Sequence, residues 1–503
     1  MSKKMLVESD PHETRIAVME QDRLTELFIE RHQQLGVVGN IYKGRVNRVL
    51  PGMQAAFVDI GLDRDAFLYV SEVTDPHLSP FDDHDGGDGG EGDGEALDPA
   101  EVERPSIDQL LRPGQQVMVQ VLKDAMPNKG ARVSTQITLP GRSLVLLPNV
   151  PHLGISRRIE DEDTRARLRE LLEELQPPGM GLIVRTAGLA GDRDEFEADL
   201  EYLTKLWARI SDRGEKVSAP TLIHRDLDLA LRVVRDFLSE DFRVIWVDGE
   251  ETYERLVDFI DQVQPSMLGR IKLSRHDDGL FERFDIDDEI EAALKTKVWL
   301  KSGGHIVIHP TEALVAIDVN TGRYVGRHNL EDTVLTTNLE AVREIVRQVR
   351  LRNLGGIIVI DLIDMEEESH RQEVFAALEE ELAKDRAKNK VLNISEFGLV
   401  ELTRKRSRPS LERLLTQPCP YCRGTGRIKA LSSIALGLRR QILRQRARYL
   451  EGELLLRVHP DVATALQRQE QSILRELEET LGSQILIQSD PSLHHERFDI
   501  LDV

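Results

Sequence analysis

Asp318, Asn320 and Asp361 are the residues of this chain best placed to do chemistry. Ala313–Val319 is a short apolar run that carries Asp318 and leads through Asn320 to Gly322. Ile357–Ile363 is a second such run, entered through Gly355-Gly356 and carrying Asp361. An ionised carboxylate inside so apolar a run is costly to bury unless something compensates it. Two of them close together raise that cost, because like charges resist joint ionisation. A divalent cation removes the conflict: Mg²⁺ takes one or two carboxylates, keeps several waters and fills its octahedron from a substrate phosphate. Asn320, two residues after Asp318, shares its strand face and can orient that carboxylate. The pattern points to a metal-dependent phosphoryl site. The plainer alternative is that the aspartates cap helices or pair with nearby arginines, and neither reading names a substrate.

Positioning the two aspartates requires a strand, a crossover and a second strand. Between the runs Leu335, Leu339, Val342, Val346 and Val349 recur at alternating spacings of four and three. That stripe predicts a helix from about Asp332 to Arg352, stopped at Gly355. A crossover of this length implies two parallel strands covered by the helix. The aspartates then lie towards the carboxyl ends of neighbouring strands, where open α/β sheets place their ligands.

The 503 residues predict roughly three domains. A formal net charge of -22 and a pI near 5.2 argue against a generally basic nucleic-acid binder. Much of the acidity sits in Asp75–Pro105, a Gly-rich acidic stretch with too few large apolar residues to form a core, read as a disordered insertion. Basic clusters survive at Arg157-Arg158, at Arg343, Arg347, Arg350 and Arg352, and at Arg404-Lys405-Arg406 with Arg408. Each is either a solvated face or part of a phosphate track. No stretch reaches membrane-spanning length, no signal-peptide pattern opens the chain, and two cysteines in such a length suit a reducing compartment. The expectation is a cytoplasmic protein with no membrane partner.

Residues 1–35 alternate around Gln21-Asp22 as a hairpin that must pack on something later in the chain. From Gly36 short strands with glycine turns read as a five-strand barrel of the oligonucleotide-binding kind. There Tyr42, Lys43, Phe57, Phe67 and Lys129 could combine ring faces for bases with cations for phosphates, although Phe57 and Phe67 read equally well as core. Residues 140–220 mix strands (SLVLLP, GLIVRTA) with helices, and Arg185-Thr186 at a strand end offers a guanidinium and a hydroxyl to a terminal phosphate. Residues 227–294 carry no assignable motif. Further on, CPYCRGTG places Cys419 and Cys422 in a metal-knuckle spacing. A structural zinc needs four ligands, so either histidines complete the site or two chains contribute one pair each. A redox C-x-x-C would open a helix in thioredoxin-like surroundings, which the sequence does not display. Residues 430–503 alternate helix and strand as a small α+β domain.

Taken together, GNIYKGRVNRVLPGMQAAFVDIG, GISRRIE, GLIVRTAG, AIDVNTG, TNLEAVREIVRQVRLRNLGGIIVIDLIDM, LTRKRSRPSLE and CPYCRGTG resemble the ribonuclease E/G family from end to end. The length suits the branch that lacks a long disordered scaffold tail. The resemblance implies a single-strand-specific, Mg²⁺-dependent endoribonuclease of ribosomal RNA maturation and messenger RNA turnover, leaving 5′-phosphate and 3′-hydroxyl ends. It implies that Asp318 and Asp361 hold the metal while Asn320 orients Asp318. Gly141, Val145, Arg185 and Thr186 would sense a 5′-monophosphate, and Phe57, Phe67 and Lys129 would contact RNA. Cys419 and Cys422 would be half of a zinc site that joins two protomers into a homodimer, with further association left open.

The implied fold is multidomain, α/β and α+β. A ribonuclease H-like subdomain is split between residues 1–35 and 231–294. An S1-type barrel spans 36–135 with the insertion 75–105 inside it, and a 5′-sensor region spans 136–230. A deoxyribonuclease I-like catalytic subdomain spans 295–415, followed by a zinc link, 416–430, and a small C-terminal domain, 431–503. Ile60 stands where the longer branch of the family has an aromatic, which bears on the stacking surface. Two rivals remain: an RNA-binding scaffold whose aspartates are structural, and a deoxyribonuclease, since metal chemistry alone does not see the 2′-hydroxyl.

Overall fold

Alternating apolar residues and paired glycine turns build a chain of sheets. The computed structural model describes residues 3–32, 36–73, 105–125, 129–156, 159, 161–189, 191–275, 279–321, 330–395, 397–406, 408–445 and 454–502. Residues 75–104 of the acidic insertion, Arg157, Arg158 and Gly322 lie outside them. The chain divides into two compact units, Met1–Arg408 and Pro409–Val503.

In the first unit Lys3–Ser9, Glu13–Glu20 and Arg23–Arg31 form an antiparallel meander. The turn between the last two has Gln21 and Asp22 at φ 52° and 61°, the conformation a tight two-residue hairpin requires. The partner that this segment needs is Phe242–Asp248, which runs parallel to Lys3–Ser9 and carries Ile271–Leu273 on its far side. Met5, Val7, Ile16, Val18, Phe242, Ile245 and Val247 close a shared core. Residues more than two hundred positions apart thus make one sheet.

The barrel is closed. Ile41–Leu50 pairs with both Ala55–Asp59 and Gln116–Lys123, and Ala66–Tyr69 and Arg132–Ser134 complete the ring. Val46, Ala56, Val58, Ile60, Ala66, Leu68, Val119, Val121 and Val133 fill it. A four-stranded sheet follows, in the order Leu153–Ile155, Gly181–Val184, Leu144–Leu147, Leu139–Pro140, packed against the helices Glu162–Leu175 and Arg193–Lys216.

The last sheet of this unit has six strands, in the order Lys297–Trp299, His305–Pro310, Leu314–Asn320, Gly356–Asp361, Leu399–Arg404, Asn389–Val391. The helix predicted at 332–352 spans Leu330–Leu351 and joins two parallel strands, as expected. With Glu368–Leu382 it covers one face, where Ile306, Ile317, Val319, Ile358, Ile360, Val400 and Leu402 meet Val342, Val346, Val349, Val374 and Leu378. Alternate residues of these strands are exposed or half-buried, so the opposite face is open.

Most of the basic clusters are structural. Arg350 forms ion pairs with Glu20 at 2.8 Å and Glu26 at 3.1 Å, and Arg347 pairs with Glu344 and Glu289. Arg404, itself buried, pairs with Asp385 at 2.6 Å. These ion pairs tie the helix Leu330–Leu351 and its sheet to their neighbours, so these guanidiniums do not form a phosphate track.

In the second unit Leu454–Val458 lies between a parallel Ile485–Ser489 and an antiparallel Phe498–Asp502, packed on the helices Leu431–Arg444, Pro460–Arg468 and Gln471–Leu481. Among the described residues no helix is long and apolar enough to cross a membrane.

Candidate active site

Strand parity places the two aspartates side by side. Leu314–Asn320 and Gly356–Asp361 run parallel with Asp318 directly opposite Asp361. Their buried neighbours, Ile317 and Val319 on one strand and Ile360 on the other, point into the helix-covered core. Both carboxylates therefore project from the open face, and both residues are exposed. This corrects the premise that the apolar runs bury them. The runs are apolar because one face packs on helices, while the other carries the aspartates to solvent.

Asn320 donates from Nδ2 to Oδ2 of Asp318 at 2.8 Å, which fixes the carboxylate as its position on the same strand face predicts. Desolvation, together with the charges of Asp318 and Asp364, pushes the Asp361 carboxyl above its ordinary pKa. Crowded anions of this kind are the usual setting for a cation. Beyond Asp361 the chain is held by Asn338, fully buried on the helix Leu330–Leu351. Its amide donates to the carbonyl of Ile363 at 2.8 Å and accepts from the Ile363 N–H at 3.1 Å. Asn338 was not singled out in the sequence. Its signal is a polar residue on the apolar stripe of its helix, at i+3 from Leu335 and i−4 from Val342.

A second group gathers on the four-stranded sheet. Arg185 follows the strand Gly181–Val184, its N–H donates to the Ser143 carbonyl at 2.8 Å, and its guanidinium donates to the Gly141 carbonyl. Val145 lies opposite Ile183 and Pro140. Thr186 is exposed, with its hydroxyl 3.1 Å from that of Ser156. Gly141 and Arg185 thus meet from segments more than 40 residues apart, Val145 lies on the strand beside them, and Thr186, next to Arg185, turns its hydroxyl to Ser156.

Two carboxylates complete this group and were not anticipated. Asp199 is 4% exposed and accepts from the N–H groups of Arg142, Ser143 and Leu144 at 3.1, 2.8 and 2.8 Å. A side chain on Gly141 would collide with it. Burial pushes its pKa up against those three donors. Asp236 pairs with Arg185 at 2.8 Å and with Arg235 at 2.9 Å. Burial opposes its ionisation, but those guanidiniums outweigh it and hold its carboxyl below the ordinary range. Asp199 was detectable as a charge at i+3 from Phe196 and i−4 from Leu203, on the buried stripe of its helix. Asp236 had no local signal.

On the barrel, Phe57 and Phe67 are directly paired on adjacent strands, with ring centroids 5.4 Å apart at 85°. Both are half-buried, absent from the barrel core, and flanked by Tyr69 and by the guanidinium of Arg48. The core reading of these rings is thereby set aside. Lys129 is exposed just before Arg132–Ser134. Tyr42, by contrast, is 6% exposed inside the barrel, and Lys43 donates to the Gly214 carbonyl at 2.8 Å, so neither belongs to an outer surface. Ile60, 2% exposed, is also interior and takes nothing from the outer ring pair.

In the second unit Cys419 and Cys422 are free thiols in a turn that precedes the helix at Leu431. The Gly426 N–H donates to the Cys422 sulfur at 3.3 Å, and this bond leads the causes that lower the Cys422 pKa. His494 and His495 approach the knuckle through Tyr421, His494 by a 2.8 Å bond to its carbonyl and His495 by its hydroxyl. They do not approach through the sulfurs. Among the described residues the one group of three or more ligand atoms within 4.8 Å of one another is His459, Asp461 and His495, which includes neither cysteine. Its imidazoles stack at 3.7 Å and 28°, and both face the Asp461 carboxylate, His459 at 3.6 Å and His495 at 2.8 Å. Among the described residues, histidines thus do not complete the cysteine pair.

Comparison with known proteins gives the family. A model of the ribonuclease E/G family matches residues 138–407, which include Arg185, Asp318 and Asp361. A second, described as the RNase E/G thioredoxin-like domain, matches 418–503. That description overturns the expectation that thioredoxin-like surroundings are absent, although the cysteines lie before the domain's first helix and not at its start. Ribonuclease G of Escherichia coli K12 is 42% identical over 501 residues, covering all of both chains. Ribonuclease G of Haemophilus influenzae is 38% identical over 99% of each. Ribonuclease E of E. coli K12 is 38% identical over 95% of this chain but only 44% of its own length. The chain belongs to the ribonuclease E/G family, and its full-length likeness is to bacterial ribonuclease G.

Proposed function

We propose that this protein is a Mg²⁺-dependent endoribonuclease that cuts single-stranded RNA to 5′-phosphate and 3′-hydroxyl ends, prefers 5′-monophosphorylated substrates, and serves ribosomal RNA maturation and messenger RNA turnover. The observation that carries the reading is the in-register pair Asp318 and Asp361 on an open sheet face, one of them oriented by Asn320. Two hard oxygen ligands beside a third carboxylate, Asp364, fit Mg²⁺ and leave room for waters and a phosphate. Bound there, the ion supplies Lewis-acid stabilisation of the phosphoryl oxygens and a more acidic water. The protein's own part is positional. Asn320 fixes the Asp318 carboxylate, and Asn338 holds the backbone beyond Asp361. The open face admits an extended strand, and the outer rings of Phe57 and Phe67 offer stacking surfaces to bases. Purified protein should cut 5′-monophosphorylated single-stranded RNA with Mg²⁺ and not without it, and should leave DNA of the same sequence intact. Cleavage of DNA at an equal rate would refute the substrate assignment.

Asn338 provides a test of that positional role. Asn338→Ala leaves the N–H and carbonyl of Ile363 without their buried partners, a loss of about 2 kcal/mol in stability. A displaced Asp361 should lower kcat roughly ten- to a hundredfold, while affinity for single-stranded RNA stays near wild type. Equal losses in binding and turnover would make Asn338 a general folding residue instead.

The reading includes a homodimer joined by zinc. Cys419 and Cys422 supply two thiolates, a tetrahedral structural site takes four ligands, and the nearby histidines are committed to Tyr421. A second chain supplies the missing pair. Purified protein should carry about half a zinc per chain, and Cys419→Ser or Cys422→Ser should release it and shift the sedimenting mass to monomer. A zinc-free variant that remained dimeric would exclude the shared site.

A further inference from the structure

Trp299 is 65% exposed, whereas the other two tryptophans, Trp207 and Trp246, are half-buried. Single exposed rings are common on protein surfaces, so what matters is where this one stands. Its position gives it a use. Trp299 stands on the edge strand of the six-stranded sheet, opposite His305, and His305 stands opposite Asn320. Lys297, on the same edge strand, lies in the row that runs through Val307 to Asp318 and Asp361. The intervening Val298 packs on the helix-covered core, so Lys297 and Trp299 share the open face with the two aspartates. Neighbouring strands lie about 4.8 Å apart, which sets the backbone of Trp299 about 10 Å from that of Asn320.

The ring is held for contact. The Lys297 ammonium sits 4.1 Å from its centroid, and the His305 ring lies 5.3 Å away at 53°. A cation on one side and an imidazole beside it limit the rotamers of the indole and leave most of its surface to solvent. Lys295, Lys297 and Lys301 flank it in sequence and are exposed. They supply local positive charge in a protein whose formal net charge is -22. An exposed aromatic among lysines is the chemistry that holds a single-stranded nucleic acid, the ring taking a base and the ammonium groups its phosphates.

We infer that Trp299, braced by Lys297 and His305, is a stacking platform for an RNA base close to the scissile phosphate. It is a second aromatic subsite, on the catalytic sheet itself and apart from the rings of the barrel. The inference rests on the nuclease reading, since it uses the proximity of Asp318 and Asp361 to say which polymer lies there. A protein partner is the other use of an exposed indole, but it would not need to share the face of the aspartates or the lysines.

The test is binding of 5′-monophosphorylated single-stranded RNA, followed by fluorescence anisotropy in an Asp318→Asn background that does not cut it. Trp299→Ala should weaken binding about tenfold, the loss of one stacked base (about 1.4 kcal/mol). Trp299→Phe should restore binding to within about twofold while removing the RNA-induced quenching of indole fluorescence. Replacing the base that stacks by an abasic nucleotide, found by moving the lesion along the RNA, should reproduce the tenfold loss and make Trp299→Ala silent. The platform is overturned if Trp299→Ala binds intact RNA like its parent, if it loses intact and abasic RNA equally at every lesion position, or if its main effect is a lower sedimenting mass. Cleavage of the same RNA by wild type tests the nuclease reading separately. A wild type that does not cut but binds through Trp299 refutes the nuclease and supports the platform, whereas an active wild type indifferent to Trp299 refutes only the platform.

Discussion

Asn at position 318 or at position 361 should lower kcat for single-stranded RNA roughly a hundred- to a thousandfold, about 3–4 kcal/mol of transition-state stabilisation. Each substitution keeps the shape of the side chain and removes one anionic ligand from a pair that lies in register. Because both carboxylates act on one site, the double variant should lose little more than either single one. Folding should survive, since both residues are exposed and the packed core lies on the other face of the sheet. Asp361→Asn should even stabilise the apo protein slightly. Burial and the charges of Asp318 and Asp364 raise the Asp361 pKa, so removing its charge relieves repulsion. Kd for RNA should change far less than kcat, and excess Mg²⁺ should recover part of the rate. Retention of near-wild-type cleavage by either single variant would dismantle the shared site, and so would a double variant whose loss is the product of the two.

Patterns of period two and 3.6 made much of the scaffold legible. The stripe from Leu335 to Val349 located the catalytic helix to within about two residues, and the two apolar runs gave parallel strands with aspartates at equivalent depth. What the runs concealed was the open face. Ile357 is 51% exposed, and Val359 and Ala316 share its side of the sheet. Apolar residues on the uncovered face erase the alternation that would have announced it. The barrel hid the opposite fact. Phe57 and Phe67 point outward while Tyr42 and Ile60 fill the interior, and an aromatic on a strand does not reveal which side its core lies on until its neighbours are paired. Long-range partners were the least legible. Arg350 reads as one more basic surface residue, yet Glu20 and Glu26 neutralise it from a sheet begun some three hundred residues earlier.

Asp236, the partner that local sequence did not reveal, also sharpens what Arg185 should do. Arg185→Ala should erase most of the preference for 5′-monophosphorylated over 5′-hydroxyl RNA, a loss of roughly ten- to a hundredfold in the ratio of rates for one charge-assisted contact of about 1.5–3 kcal/mol. The guanidinium already gives one bond to the Gly141 carbonyl and a 2.8 Å ion pair to Asp236. An incoming phosphate must therefore share Arg185 with a carboxylate that Arg235 also keeps ionised. That carboxylate repels the phosphate and limits the preference. Asp236→Asn keeps the hydrogen-bonding shape and removes the repulsion, so it should raise the monophosphate preference several-fold, by about 1 kcal/mol at partly buried charges. Opposite shifts from the two substitutions, with cleavage of 5′-hydroxyl RNA nearly unchanged in both, are the signature of an anion site. The competing role is a brace. Arg185 and Asp236 could serve only to hold the turn at Gly141, which Asp199 organises from below through three backbone N–H groups. A brace makes the opposite forecast: each variant slows both substrates by the same factor and lowers thermal stability, and Asp236→Asn never improves the preference. Initial rates on the two RNAs, measured in parallel for the three proteins, separate a sensor from a brace.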